Sequence, residues 1–169
     1  VTPLRARRYA EALEDAVSVY RAMKDVLKDR GAYQPGIADE GGYVPTITTN
    51  QEGFVLMVEA FERAGLRPGE DAAIAVDVAA SQFAEGSSYT LHAEGIELDS
   101  AALVGRLAAW AERYPVLSIE DGLGKRTGVA GGFSPSASAR VASWWAMTCL
   151  RPTPSGWKRE SRREWPTRC

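Results

Sequence analysis

The chain has 169 residues and a formal net charge of −2, long enough for one domain with a sizeable core. No apolar run approaches a membrane span and no signal-peptide architecture opens the sequence, so a soluble, cytoplasmic protein is expected. The small net charge hides an asymmetry: residues 1–124 carry 11 Lys/Arg against 20 Asp/Glu, and residues 125–169 carry 9 against 2. Four of the five Trp lie in that basic tail, which raises the question of anionic partners. Cys149 and Cys169 have no zinc-like spacing and imply no disulfide scaffold.

In chain order, residues 8–28 place Tyr9, Leu13, Ala16, Val17, Tyr20, Met23, Val26 and Leu27 at helical spacing, and the pattern predicts a helix that stops near Gly31. A loop follows over residues 30–46. Thr49 or Asn50 can cap a second helix, with Glu52 in its first turn and Phe54, Val55, Val58 and Phe61 on its apolar face. Pro68-Gly69 then turns the chain into Ala72–Asp77, which reads as a buried parallel strand with an acid at its C-terminal end. Ser88–His92 and Ile96–Leu98 suit a small hairpin across Glu94-Gly95. Asp99 caps a third helix through Trp110 and Ala111, and Val116–Ile119 is the next strand. Strands that deliver acids at their ends, separated by helices, describe an α/β chain and a segment of a (β/α) barrel with chemistry at its C-terminal face.

Three short stretches carry the chemistry. Ile37-Ala-Asp39-Glu40-Gly-Gly42-Tyr-Val-Pro45 sets two carboxylates against a Gly pair, so that a loop can aim a carboxylate inward; alone it also suits an acidic surface turn. Ala75-Val-Asp77-Val-Ala-Ala-Ser81-Gln-Phe83 and Tyr114-Pro-Val-Leu-Ser-Ile-Glu120-Asp121-Gly122-Leu123 follow. In this order the three stretches resemble enolase, the 2-phosphoglycerate dehydratase, over roughly residues 3–124. The resemblance implies a partial TIM-type (β/α) barrel corresponding to part of the enolase C-terminal domain. It implies Mg²⁺ as cofactor, 2-phosphoglycerate and phosphoenolpyruvate as ligands, a homodimeric or larger assembly, and no nucleic-acid partner.

By the same resemblance, Asp77 and Glu120 correspond to two of three acids that bind Mg²⁺, with Glu120 also in contact with substrate. Glu40 corresponds to the acid that helps to expel the 3-hydroxyl, and Asp39 and Asp121 to carboxylates that orient their neighbours. Read from the residues alone, Asp77 and Glu120 also suit a solvated edge or a helix cap, and Asp121 a salt bridge to a helical Lys or Arg. Departures are plain. Ala38 stands where the family has Gly, and residues 3–13 align just after a segment that supplies a substrate-site Glu and a preceding His. His92, the one His, matches no catalytic His and suits the surface. Neither Lys125 nor Lys158 matches the family's proton-abstracting Lys. A different metal-dependent member of the wider enolase-like superfamily would share acids at strand ends, but the Asp39–Gly42 loop argues against it.

After Gly124 the helix and strand periodicity stops, so residues 1–124 read as the barrel segment and 125–169 as a disordered or frameshifted tail. Taking each codon's third base with the first two of the next, Trp144–Thr148 forces Val and Gly, permits Asp, and forces Asp. Continued through Pro154, this displaced frame permits Val-Gly-Asp-Asp-Leu-Phe-Ala-Thr-Asn-Pro, resembling the enolase strand that supplies the next acids. From Gly124 it permits Glu-Glu-Asp-Trp-Gly-Gly-Trp, resembling the family's continuation after Asp121-Gly-Leu123. A frameshift near residue 124 is therefore the expectation, and the present chain is expected to be inactive. The alternative is a non-catalytic fragment whose basic tail binds anionic partners.

Overall fold

The computed structural model describes residues 1–124. The expectations for the tail, its displaced frame, and Cys149, Cys169, Lys125 and Lys158 lie outside the described residues. In chain order the elements are β1 (Thr2–Pro3), α1 (Tyr9–Asp29), α2 (Asn50–Arg63), β2 (Ala72–Asp77), a 3₁₀ turn (Ala80–Gln82), β3 (Ala84–Glu85), β4 (Ser88–Leu91), β5 (Ile96–Asp99), α3 (Ser100–Arg113) and β6 (Val116–Glu120). They form two three-stranded sheets, ordered β1-β2-β6 and β3-β4-β5. β2 runs parallel to β6 and antiparallel to β1; the short β1 carried no sequence signal.

Helix α1 forms where expected; Val26 and Leu27 of its expected apolar face are buried and Met23 packs on the core, but its first half buries a neighbouring stripe. Its buried residues are Asp15, Val19, Ala22, Val26 and Leu27, whereas Tyr9, Leu13, Val17 and Tyr20 are exposed. The buried set keeps helical spacing and, over the first half, is displaced around the axis. Asp15 is tolerated inside because the Arg5 guanidinium meets its carboxylate in two bonds of 3.0 and 2.6 Å. Both α1 and α2 close with a bond past a positive-φ glycine, from Ala32 N to Leu27 O and from Leu66 N to Phe61 O.

Helix α2 corrects the capping expectation. Thr49 holds the N-cap position with no side-chain bond, and Glu52 folds back to accept from Thr48 N and Thr48 Oγ1 at 3.0 and 2.7 Å. The exposed helix amide is instead met from the hairpin. Glu94 Oε1 accepts from both Asn50 N and Asn50 Nδ2 at 3.0 Å, while Glu94 Oε2 pairs with Arg106 of α3 at 2.7 Å. Burial pushes the Glu94 carboxyl up, but the two Asn50 donors and Arg106 together leave it below the usual range. One carboxylate thus ties the β4–β5 turn to two helices. Asp99 does cap α3 as expected, accepting from Ala102 N at 2.7 Å.

The main core gathers Val19, Val26, Leu27, Phe61, Ile74 and Val116, with Tyr33, Tyr43, Val76 and Ile119 packed against it. A second, smaller cluster of Ala80, Tyr89, Leu103 and Leu107 lies at the β3-β4-β5 sheet. Strand β2 is buried over Ala72–Ile74 only; Ala75 and Asp77 are exposed, so it is not the fully buried strand expected. Ala75 and Asp77 alternate onto the solvent side of β2, and a bulge on β6 brings that strand into the same division. Ile74 pairs with Val116 and Ala75 with Ser118, so one extra residue on β6 resets its alternation. Val116 faces the core below the bulge, and Val76 and Ile119 do so above it. Ala75, Asp77, Ser118 and Glu120 are left on the face without helices.

Candidate functional site

Asp77 and Glu120 are register partners at the C-terminal ends of two parallel strands. Paired residues of a ladder project to the same side, and neighbouring strands lie about 4.8 Å apart. Two exposed carboxylates therefore stand side by side on the uncovered face. The ladder continues beyond the strands: Val78 N donates to Glu120 O at 3.0 Å and Ala80 N to Asp121 O at 2.9 Å. Asp77 Oδ1 accepts from Ala79 N at 3.0 Å, which turns that carboxylate back over its own strand end.

Asp121 joins this group through a partner the sequence reading left without a role. Its Oδ2 accepts from Ser81 Oγ at 2.5 Å and from Ser81 N at 3.3 Å, and no ion pair to a helical Lys or Arg forms among the described residues. Ala79 and Asp121 are the two non-glycine residues with positive φ, at 50° and 43°. Left-handed backbone costs about 1–2 kcal/mol at such residues, and both lie two residues or fewer beyond the paired acids. Ser81 was legible only as part of the quoted Asp77–Phe83 stretch; nothing in its spacing announced the bond across 40 residues.

Asp39 and Glu40 are placed differently. Both are exposed, which matches the acidic surface turn and not the inward-pointing carboxylate, and no hydrogen bond or ion pair among the described residues joins them to Asp77 or Glu120. Their turn is closed by Ala38 N to Gly42 O and Gly41 N to Ala38 O, both 2.8 Å. Gly41 sits at φ +89°, a backbone conformation that favours glycine, whereas a Cβ on Gly42 would meet only the end of the exposed Glu40 side chain, at 3.1 Å. Aromatic rings hold the loop to α1. Tyr20 stacks on Tyr43 with centroids 4.6 Å apart, its hydroxyl donates to Gly41 O at 2.9 Å, and Tyr33 meets Tyr43 edge-on. Burial, with the Tyr20 hydroxyl beside it, pushes the Tyr43 phenol up to about 12.

Val76, Asp77 and Val78 help to line a cavity of about 360 Å³. Phe54, Phe83 and Trp110 form apolar walls, and His92, exposed as expected, stands at its edge. Among the described residues no three His, Cys, Asp or Glu side chains gather as a metal site, and no helix is long and apolar enough to cross a membrane.

Strand-end acids on the helix-free face of a parallel pair define part of a (β/α)-barrel domain, although no closed barrel forms among the described residues. A family described as enolase, C-terminal TIM barrel domain, matches residues 1–130. The chain belongs to that family.

Proposed function

We propose that this chain carries part of the machinery that dehydrates 2-phosphoglycerate to phosphoenolpyruvate in glycolysis, as a cytoplasmic, Mg²⁺-dependent lyase of homodimeric or larger family type. One observation supports the reading most: Asp77 and Glu120 pair in register at strand C-termini on the uncovered face, inside the family match. Mg²⁺ takes hard oxygen donors, keeps several waters and needs few protein carboxylates, so this exposed pair suits two of its ligands. Asp77 and Glu120 would hold the cation, and Glu120 would also touch substrate. Bound there, the cation supplies positive charge against the anion that loss of a weakly acidic C2 proton creates. Glu40 protonates the departing 3-hydroxyl and Asp39 orients it; Asp121 orients Glu120. No residue of this chain is assigned the role of C2 base.

The domain boundary is proposed at residue 124, with residues 125–169 the product of a displaced reading frame. The match to the family ends close by, at residue 130. A basic tail that binds anionic partners gains no support from a match that covers the acidic body.

The test has two arms. Sequencing the gene and its transcript should reveal, in the displaced frame after codon 124, an open frame that encodes the Asp-Asp pair; a stop before the pair overturns the frameshift. Turnover is then followed by phosphoenolpyruvate absorbance with saturating Mg²⁺. The 169-residue chain should be inactive, and the frame-corrected, full-length protein active. Glu40→Gln, Asp77→Asn and Glu120→Gln should each abolish the restored activity. A corrected protein indifferent to all three substitutions overturns the assignment.

A further inference from the structure

Two turns leave the paired strands, and each contains a residue in the left-handed region: Ala79 after Asp77, and Asp121 after Glu120. Strain of this kind persists only where its surroundings hold it, and it concentrates at functional sites. What holds it here is a bridge between the turns. Ser81 Oγ and Ser81 N both donate to Asp121 Oδ2, and Ala80 N donates to Asp121 O. The Oγ contact, at 2.5 Å, is in the short range of bonds to a charged carboxylate. With Val78 N on Glu120 O, the bridge extends the β2–β6 ladder beyond its last register pair.

The consequence falls on the two acids. Asp77 is anchored through Ala79 N, one residue before the bridged segment, and Glu120 directly precedes Asp121. With the turns tied, the spacing between the carboxylates is set by backbone; without the tie, two exposed strand ends can splay. Resting on the reading of Asp77 and Glu120 as cation ligands, we propose that Ser81 and Asp121 are a positioning pair that fixes these two carboxylates at the spacing a divalent cation needs. Neither residue is required to touch the cation. Partners that orient metal ligands typically change affinity by about 10–100-fold when removed.

The experiment uses the full 169-residue chain and Mn²⁺ alone, with free Mn²⁺ followed by its electron paramagnetic resonance signal. Ser81→Ala should weaken binding about tenfold, Ser81→Thr should restore it by returning the hydroxyl, and Asp77→Asn should abolish it. Hydrogen exchange at α1 and α3 should stay unchanged in Ser81→Ala, which separates positioning from a general loss of structure. If Ser81→Ala loosens those amides, Ser81→Cys, which keeps the side chain's size and the local charge but is a poor hydrogen-bond donor, decides in its place: weaker binding supports the pair and wild-type binding overturns it. Wild-type affinity in Ser81→Ala, with affinity lost in Asp77→Asn, overturns the positioning role and leaves the cation site standing. Equal loss in Ser81→Ala and Ser81→Thr also overturns it, since the hydroxyl then has no part. No Mn²⁺ binding by the wild-type chain, or none that depends on Asp77, overturns the cation reading and the pair with it.

Discussion

The two acidic regions reach a fixed pose by different means. Asp77 and Glu120 are aimed by backbone: a parallel ladder, a bulge that resets which side chains face the helices, and turns tied by Ser81 and Asp121. Asp39 and Glu40 are aimed by side chains, with a Gly-rich turn held against α1 by Tyr20 and Tyr43. A ladder distributes its load over several backbone bonds, whereas the loop depends on a few ring contacts and one hydroxyl. Loss of the Tyr20 ring should therefore release the loop and leave the strand-end acids in place, their own weak point being the Ser81 hydroxyl.

Phe61→Ala should have the largest effect. Phe61 is fully buried in the core against which Tyr33 and Tyr43 of the loop side, and Val76 and Ile119 of the strand side, all pack. A loss of about 3–5 kcal/mol is expected, read as faster hydrogen exchange in both regions at once. Loosening of only one region would break the common floor assumed in the comparison.

Tyr20→Ala sharpens the contrast. It removes a stacked ring and a hydrogen bond, each worth roughly 0.5–1.5 kcal/mol, so local opening of residues 38–44 should become easier by about 2 kcal/mol. Amides of Val78 and Ala80 should be unmoved. Equal loosening at the strand ends would show that the two regions are one unit.

Ala79→Gly probes the strand side in the opposite direction. Relief of left-handed strain, less the added freedom of the unfolded chain, should stabilise the turn by about 0.5–1 kcal/mol. Slower exchange at Val78 and Ala80 is the readout, and faster exchange would mean that the alanine methyl packs usefully.

Further effects are expected from pH, at opposite ends of the scale. The Arg67 guanidinium beside Asp71 holds its carboxyl at about 2, and Asp71 O accepts from Leu4 N just beyond β1. Its contribution is complete above the usual carboxylate value of about 4 and is lost as pH falls towards about 2. The Tyr43 phenol is raised, so its contribution is complete below about 10 and disappears as pH rises through about 12. Acid should loosen the β1–β2 edge first, and alkali the Asp39–Gly42 loop. Ultraviolet titration of Tyr20→Phe should show the Tyr43 phenol ionising at lower pH than in the wild type.

Local chemistry was well written in the chain. Spacing placed three helices and strands β2 and β6, Asp99 announced its cap, and the turn residues marked the hairpin, because these choices depend on neighbours a few residues away. The resemblance carried by Asp39–Gly42, Asp77–Phe83 and Tyr114–Leu123 agrees with the family match. What the sequence could not disclose was orientation. Asp15 of α1 is buried against Arg5, ten residues away, the α2 cap comes from Glu94, 44 residues from Asn50, and the helix-free face of β6 is selected by a bulge. The Ser81–Asp121 bridge is of the same kind. Each joins groups far apart in sequence, so no local periodicity encodes it, and only the packing of helices against the sheet brings its partners within bonding distance.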